Sequence, residues 1–115
     1  MKWLLGVRPP LIVPPLVIAE ACYLIGRHLG SDAEAALLAG IGPGQRFALG
    51  DLLPEDLVRM SELVRRYGGL PLGGTDACVV AVAERLGAED VATVDRRHFS
   101  VVRPRHVSVF RLWPQ

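Results

Sequence analysis

The chain is 115 residues long and half of it is hydrophobic, enough to fill one core but not two. Its formal charge of +1 hides an uneven split, with residues 1–95 at −4 and residues 96–115, which hold five arginines and no acid, at +5. A basic tail beyond an acidic body suits an anionic partner such as RNA, or simply balances the body as a solvated edge.

Cys22 and Cys78 lie among small apolar residues with neither a CxxC spacing nor a secretory context. They read as packed thiols in a reducing compartment, which argues against a zinc site and for the cytoplasm. Met1 to Leu5 begins like a signal peptide, but Arg8 and Pro9-Pro10 end the apolar stretch too early for an h-region. The stretch from Leu11 to Gly26 is short for a membrane span and carries Pro14, Pro15 and Glu20.

In chain order, Leu11-Ile12-Val13 predicts a short strand, and Pro14-Pro15 a helix with proline in its first turn that runs to about Leu29 and ends at Gly30. A second helix is expected from Asp32 to Ala39, capped by Ser31 and stopped by the turn Gly40 to Gly44. Arg46 to Leu49 predicts a strand. From Pro54 to Tyr67 the acids lead and the arginines trail, as a helix macrodipole prefers, and Leu57, Met60, Leu63, Val64 and Tyr67 share one face. A glycine-rich loop to Gly74 precedes a helix expected from Thr75 to Leu86, closed by Gly87. Strands are expected at Val91 to Val94 and Val107 to Leu112. Strands alternating with helices predict a single α/β domain over residues 1–115 with a mainly parallel sheet.

Three acids stand in apolar frames. Glu20 is the only charged residue between Arg8 and Arg27, inside the run Leu16 to Ile25. A carboxylate packed there must neutralise, find a cation such as Arg27, or bind a metal. Asp76 follows Thr75 at a helix start, where an acid acts as a cap, yet it shares a face with Val80 and Ala83 and so points toward the core. Asp95 ends a strand, where parallel sheets bind ligands, and Thr93 projects to the same face; a cap or an ion pair with Arg96 or Arg97 is the plainer reading. Three carboxylates converging from different elements would make an oxygen-rich cage for Mg²⁺ or Mn²⁺, able to activate a water against a phosphodiester.

Gly73-Gly74-Thr75-Asp76-Ala77, a helix ending Ala83-Glu84-Arg85-Leu86-Gly87, and then Ala92-Thr93-Val94-Asp95-Arg96-Arg97-His98-Phe99 resemble the C-terminal half of PIN-domain proteins, especially the VapC-type ribonuclease toxins of bacterial toxin–antitoxin pairs. The segment Leu11 to Leu24 resembles the one that carries the family's second acid. The resemblance implies that Glu20, Asp76 and Asp95 are the second, third and fourth metal-site acids. It further implies a three-layer α/β/α sandwich, Mg²⁺-dependent hydrolysis of RNA by a metal-activated water, a homodimer, and neutralisation by an antitoxin. Thr93 would then assist by hydrogen bonding, and Arg96, Arg97, Arg103 and Arg105 would hold the RNA backbone. His98 and His106 are possible RNA contacts but read more simply as surface residues.

One departure stands out. Family members open with a central strand ending in Asp-Thr or Asp-Ser, and residues 1–10 contain no acid. The expectation is therefore a PIN-like domain lacking its N-terminal central strand, either because the natural protein is longer or because this is a decayed copy. The competing function is a catalytically incomplete binder that keeps dimer or antitoxin surfaces. A nucleotide-binding fold using Gly68-Gly69 and Gly73-Gly74 is disfavoured, because neither a GxGxxG nor a P-loop lysine is present.

Overall fold

The computed structural model describes residues 10–43, 46–93 and 96–113, whose contacts divide into two units, residues 10–51 and 52–113. Expectations for residues 1–10 other than Pro10, for Val94 and for Asp95 lie outside the described residues.

In the first unit, strand β1 (Leu11–Val13) stops at Pro14, whose extended backbone leads into helix α1 (Pro15–Leu29). Pro15 takes the first helical position, where a missing N–H costs no bond. Gly30 ends α1 at φ 91°, a region a side chain resists, and its N–H donates to Gly26 O at 3.1 Å. The same glycine caps the start of helix α2 (Ser31–Ile41), so Ser31 lies inside the first turn and is not the cap its sequence suggests. The helix also runs two residues past Ala39, because Gly40 is taken into it. A Cβ at Gly26 would strike the Glu34 carboxylate, so the glycine lets α1 and α2 approach closely. Strand β2 (Phe47–Leu49) pairs in parallel with β1, Leu11 opposite Phe47 and Val13 opposite Leu49, with the two helices forming the crossover that parallel pairing requires.

In the second unit, helix α3 (Pro54–Arg66) also opens on proline, and the Asp56 carboxylate accepts from the Leu53 N–H at 2.9 Å. Met60 and Leu63 bury the inner part of the predicted apolar face, while Leu57 and Val64 remain exposed. Helix α4 (Gly74–Leu86) is the centre of the core, with Ala77, Cys78, Val80, Ala81, Val82 and Ala83 all buried. It ends in a left-handed Gly87, φ 70°, with Ala88 N–H donating to Ala83 O and Gly87 N–H to Glu84 O, a Schellman closure. Leu63, fully buried, contributes about 1.5–3 kcal/mol by its removal from water.

Strand β3 (Asp90–Ala92) pairs in parallel with β4 (Arg111–Trp113), Asp90 opposite Arg111 and Ala92 opposite Trp113. The expected last strand, Val107 to Leu112, is displaced toward the C-terminus, since its short partner offers only three paired positions and residues 105–109 bend. Between them lies a helix the sequence did not signal, α5 (Arg96–Val101), where a turn was expected. It is one and a half turns anchored by Phe99 and followed by buried Val102. Among the described residues, no helix is long and apolar enough to cross a membrane.

Candidate functional site around Asp76

Gly73 and Gly74 bring the chain into α4 without a side-chain cap, leaving the first-turn N–H groups and the positive end of the helix dipole to favour an anion. Asp76 occupies the third helical position. Its i+4 and i+7 neighbours, Val80 and Ala83, are buried, so Asp76 stands at the outer end of the buried face with its side chain 31 % exposed. Thr75 is within the helix, and the cap position belongs to Gly73.

The partner of Asp76 is His98 of α5. Nδ1 of its ring donates to Asp76 Oδ2 at 2.7 Å, and that direction follows because an ionised carboxylate can only accept. Its side chain is 13 % exposed, and Nε2 is buried with no hydrogen-bond partner among the described residues. His98 is therefore not the surface residue the sequence suggested. Neither is His106: it is half-buried, its Nε2 donates to Ala88 O at 2.6 Å, and its ring meets Phe110 edge-on at 5.8 Å. The only sequence hint for His98 is its place beside Phe99, a residue bound for the core.

The remaining site candidates fall in different settings. Asp95 lies outside the described residues, next in sequence to the start of α5. Thr93 is half-buried and its N–H donates to Trp113 O at 2.9 Å, continuing the β3–β4 pairing. Glu20, in the first unit, is exposed on α1, a helix with no buried residue, so the burial cost expected of a packed carboxylate does not arise there. Arg27 donates to the Tyr23 hydroxyl at 2.8 Å, one turn away. Arg96 and Arg97 are exposed in the first turn of α5. The Arg103 guanidinium donates to the carbonyls of Ser100 and Val101, closing the end of α5, and its N–H donates to the Tyr67 hydroxyl. Arg105 gives its N–H to Glu84 and its guanidinium to Glu62 at 2.9 Å.

Two other acids of this unit are built into the scaffold. Burial alone would raise the Asp56 carboxyl, but hydrogen bonds from Arg85 and from the Leu53 N–H hold it below the usual carboxylate range. Glu84 behaves alike: burial raises it, and Arg59, bound through Nε and a terminal nitrogen at 2.8 and 2.9 Å, together with the Arg105 N–H, brings it below that range. Among the described residues, no three His, Cys, Asp or Glu side chains are close enough to hold a metal ion.

Comparison with known proteins gives this geometry a context. The chain is 35 % identical over 94 residues to Ribonuclease VapC26 of Mycobacterium tuberculosis, covering 82 % of this chain and 69 % of that protein. In fold it is similar to the crystal structure of Mycobacterium tuberculosis VapC20, described as a sarcin-ricin loop cleaving toxin, with a TM-score of 0.67 and 22 % identity over 77 % of this chain and 68 % of the other. The family model of the PIN domain matches residues 1–103, across both units. With a match of that extent, and with parallel strands alternating with helices as the family resemblance implied, the chain belongs to the PIN domain family.

Proposed function

We propose that this protein is a metal-dependent endoribonuclease, the toxin of a toxin–antitoxin pair, which hydrolyses RNA phosphodiester bonds. The observation that carries the reading is its 35 % identity, across most of its length, to a ribonuclease. In this reading residues 1–115 form one PIN-like domain, an extent supported by the family match across both units. The acids proposed as metal ligands, on the strength of the family resemblance, are Glu20, Asp76 and Asp95.

The donor chemistry fits Mg²⁺ or Mn²⁺. All three side chains offer hard carboxylate oxygens, which suit these ions, whereas thiols and imidazoles would favour zinc. Asp76 fits such a role in a further respect: His98 engages one of its oxygens and brings no fixed positive charge, so the carboxylate keeps a second oxygen for a cation. When bound, the ion supplies Lewis-acid polarisation of the phosphoryl oxygens and lowers the pKa of a coordinated water. The chain's own residues then bind and orient. Arg96 and Arg97, exposed at the head of α5, are the proposed contacts to backbone phosphates, with Thr93 as a hydroxyl donor. Arg103 and Arg105 are the further arginines proposed for the RNA backbone, although Arg105 is already paired with Glu62 and Arg103 closes the end of α5.

The partners proposed are RNA, an antitoxin and a second copy of this chain. Tyr23, Leu24 and Leu29 of α1, all exposed, support the protein surfaces in that list. Cys22 and Cys78, neither in a disulfide, agree with the proposed reducing, cytoplasmic setting.

A second reading is a PIN-like binder without cleavage. RNA incubated with the protein and excess Mg²⁺, beside an Asp76→Asn control, separates the two. Fragments that appear with wild type and vanish with the variant support the nuclease; no cleavage under ample metal leaves the binder. Cleavage that Asp76→Asn does not reduce removes the proposed site.

A further inference from the structure

We infer that His98 is a positioning residue for Asp76, holding that carboxylate in the orientation that receives a divalent cation; the inference rests on the metal-dependent reading above. Among the described residues, the two other half-buried or buried acids of the unit with a hydrogen-bond partner across elements are held by arginine. Asp56 takes both oxygens onto Arg85, and Glu84 takes both onto Arg59. Arginine in that role engages both oxygens and sets a fixed positive charge beside them, which disfavours a metal there. His98 engages Oδ2 alone, and the other Asp76 oxygen is free of that bond.

The ring is placed to do this and little else. Nδ1 is committed to Asp76, and Nε2 is buried with no hydrogen-bond partner among the described residues. Phe99 and Val102, both buried, already anchor α5. Carboxylates that ligate metals are themselves held by outer hydrogen bonds, and loss of such a partner typically costs about 10–100-fold in metal affinity.

The test is Mn²⁺ binding to the full 115-residue chain, read by calorimetry and by the loss of the free-ion electron spin resonance signal, for wild type, His98→Asn, His98→Gln and His98→Ala. Asparagine can set an amide N–H near the place of Nδ1, whereas the longer glutamine sets it near Nε2. The expected result is Mn²⁺ affinity about 10–100-fold weaker in His98→Ala and His98→Gln, with most of it restored in His98→Asn. Thermal unfolding of each variant identifies any that fail to fold; the Asn and Gln pair, similar in polarity, decides the matter if the alanine variant does. Equal affinity in all variants, or an equal loss in Asn and Gln, overturns the inference while leaving the metal site standing. A wild type that binds no Mn²⁺ removes the metal reading and this inference with it.

Discussion

Two sets of acids share helices α3 and α4 and their surroundings, and the protein treats them in opposite ways. Asp56 and Glu84 are nearly inaccessible, their side chains 3 % and 8 % exposed, and arginines saturate them. Asp76 is 31 % exposed, sits at the N-terminal end of the same helix that carries Glu84, and has one imidazole for company. The first arrangement commits both carboxylate oxygens to the fold. The second holds a carboxylate still without consuming it, as a ligand-binding group requires.

The largest expected effect breaks the first arrangement. Glu84→Ala leaves the Arg59 guanidinium, whose side chain is only 15 % exposed, and the Arg105 N–H without their acceptor. Removing one member of a mostly buried pair strands the other charge, and a loss of about 3 kcal/mol in denaturant unfolding is expected, at the low end for such pairs because solvent still reaches Arg59. Asp76→Asn reverses the pattern. RNA cleavage should fall by about a hundredfold or more, since loss of an outer partner alone costs about 10–100-fold in affinity or activity. Unfolding should move by less than about 1 kcal/mol, the scale of a charge at a helix terminus. Comparable stability losses in both variants would erase the distinction.

Acid titration sharpens the same contrast. Asp56 and Glu84 are held below the usual carboxylate range in the folded chain, so the unfolded chain binds protons at higher pH than the folded one. Their stabilisation is complete above the unfolded values near 4 and is lost as pH falls through the lower folded values. Unfolding free energy measured from pH 7 downward should therefore stay level to about 5 and then decline. Glu84→Gln should flatten part of that decline. A decline of unchanged slope would show that the arginine-held acids are not its source.

Gly87→Ala probes whether the two ends of α4 are separable. A side chain at φ 70° costs about 1 kcal/mol, and the strain lies at the end that carries Glu84 and Arg85. Unfolding should shift by that amount while Mn²⁺ binding at the Asp76 end stays as in wild type. A joint loss would mean that the Asp76 end depends on the Schellman closure 11 residues away.

The sequence made the helix boundaries at Pro15, Gly30, Pro54 and Gly87 legible, because proline and glycine act through local backbone geometry that needs no tertiary partner. Parallel pairing was legible from the alternation of strands with helices. Helix α5 was not, since six residues opening with Arg96-Arg97 oppose the macrodipole and are stabilised by burying Phe99, a tertiary effect. The ends of β4 were hidden for a related reason: β3 decides them. Asp76 was singled out by its face, shared with Val80 and Ala83, and by its family resemblance. His98 was missed, because a bond across 22 residues between two helices leaves no periodic trace. Glu20 taught the converse, since an apolar sequence frame did not amount to a buried one.

The smallest effect is expected at a pair that resembles Arg59–Glu84 on paper. Arg111 donates to Asp90 at 2.8 Å across β3 and β4, and the Trp113 indole N–H donates to the same carboxylate oxygen at 3.1 Å. That arginine hydrogen bond, then the indole, holds the Asp90 carboxyl below its ordinary range. Yet the side chains are 62 % and 41 % exposed, so water competes for both charges and salt screens what remains. Arg111→Ala should leave the denaturation midpoint at neutral pH where it is, with Trp113 still bonded to Asp90 and its fluorescence little changed. If Arg111→Ala costs as much as Glu84→Ala, distance from water is not what separates structural acids from available ones in this chain, and the assignment of Asp76 to the second group would lose its physical basis.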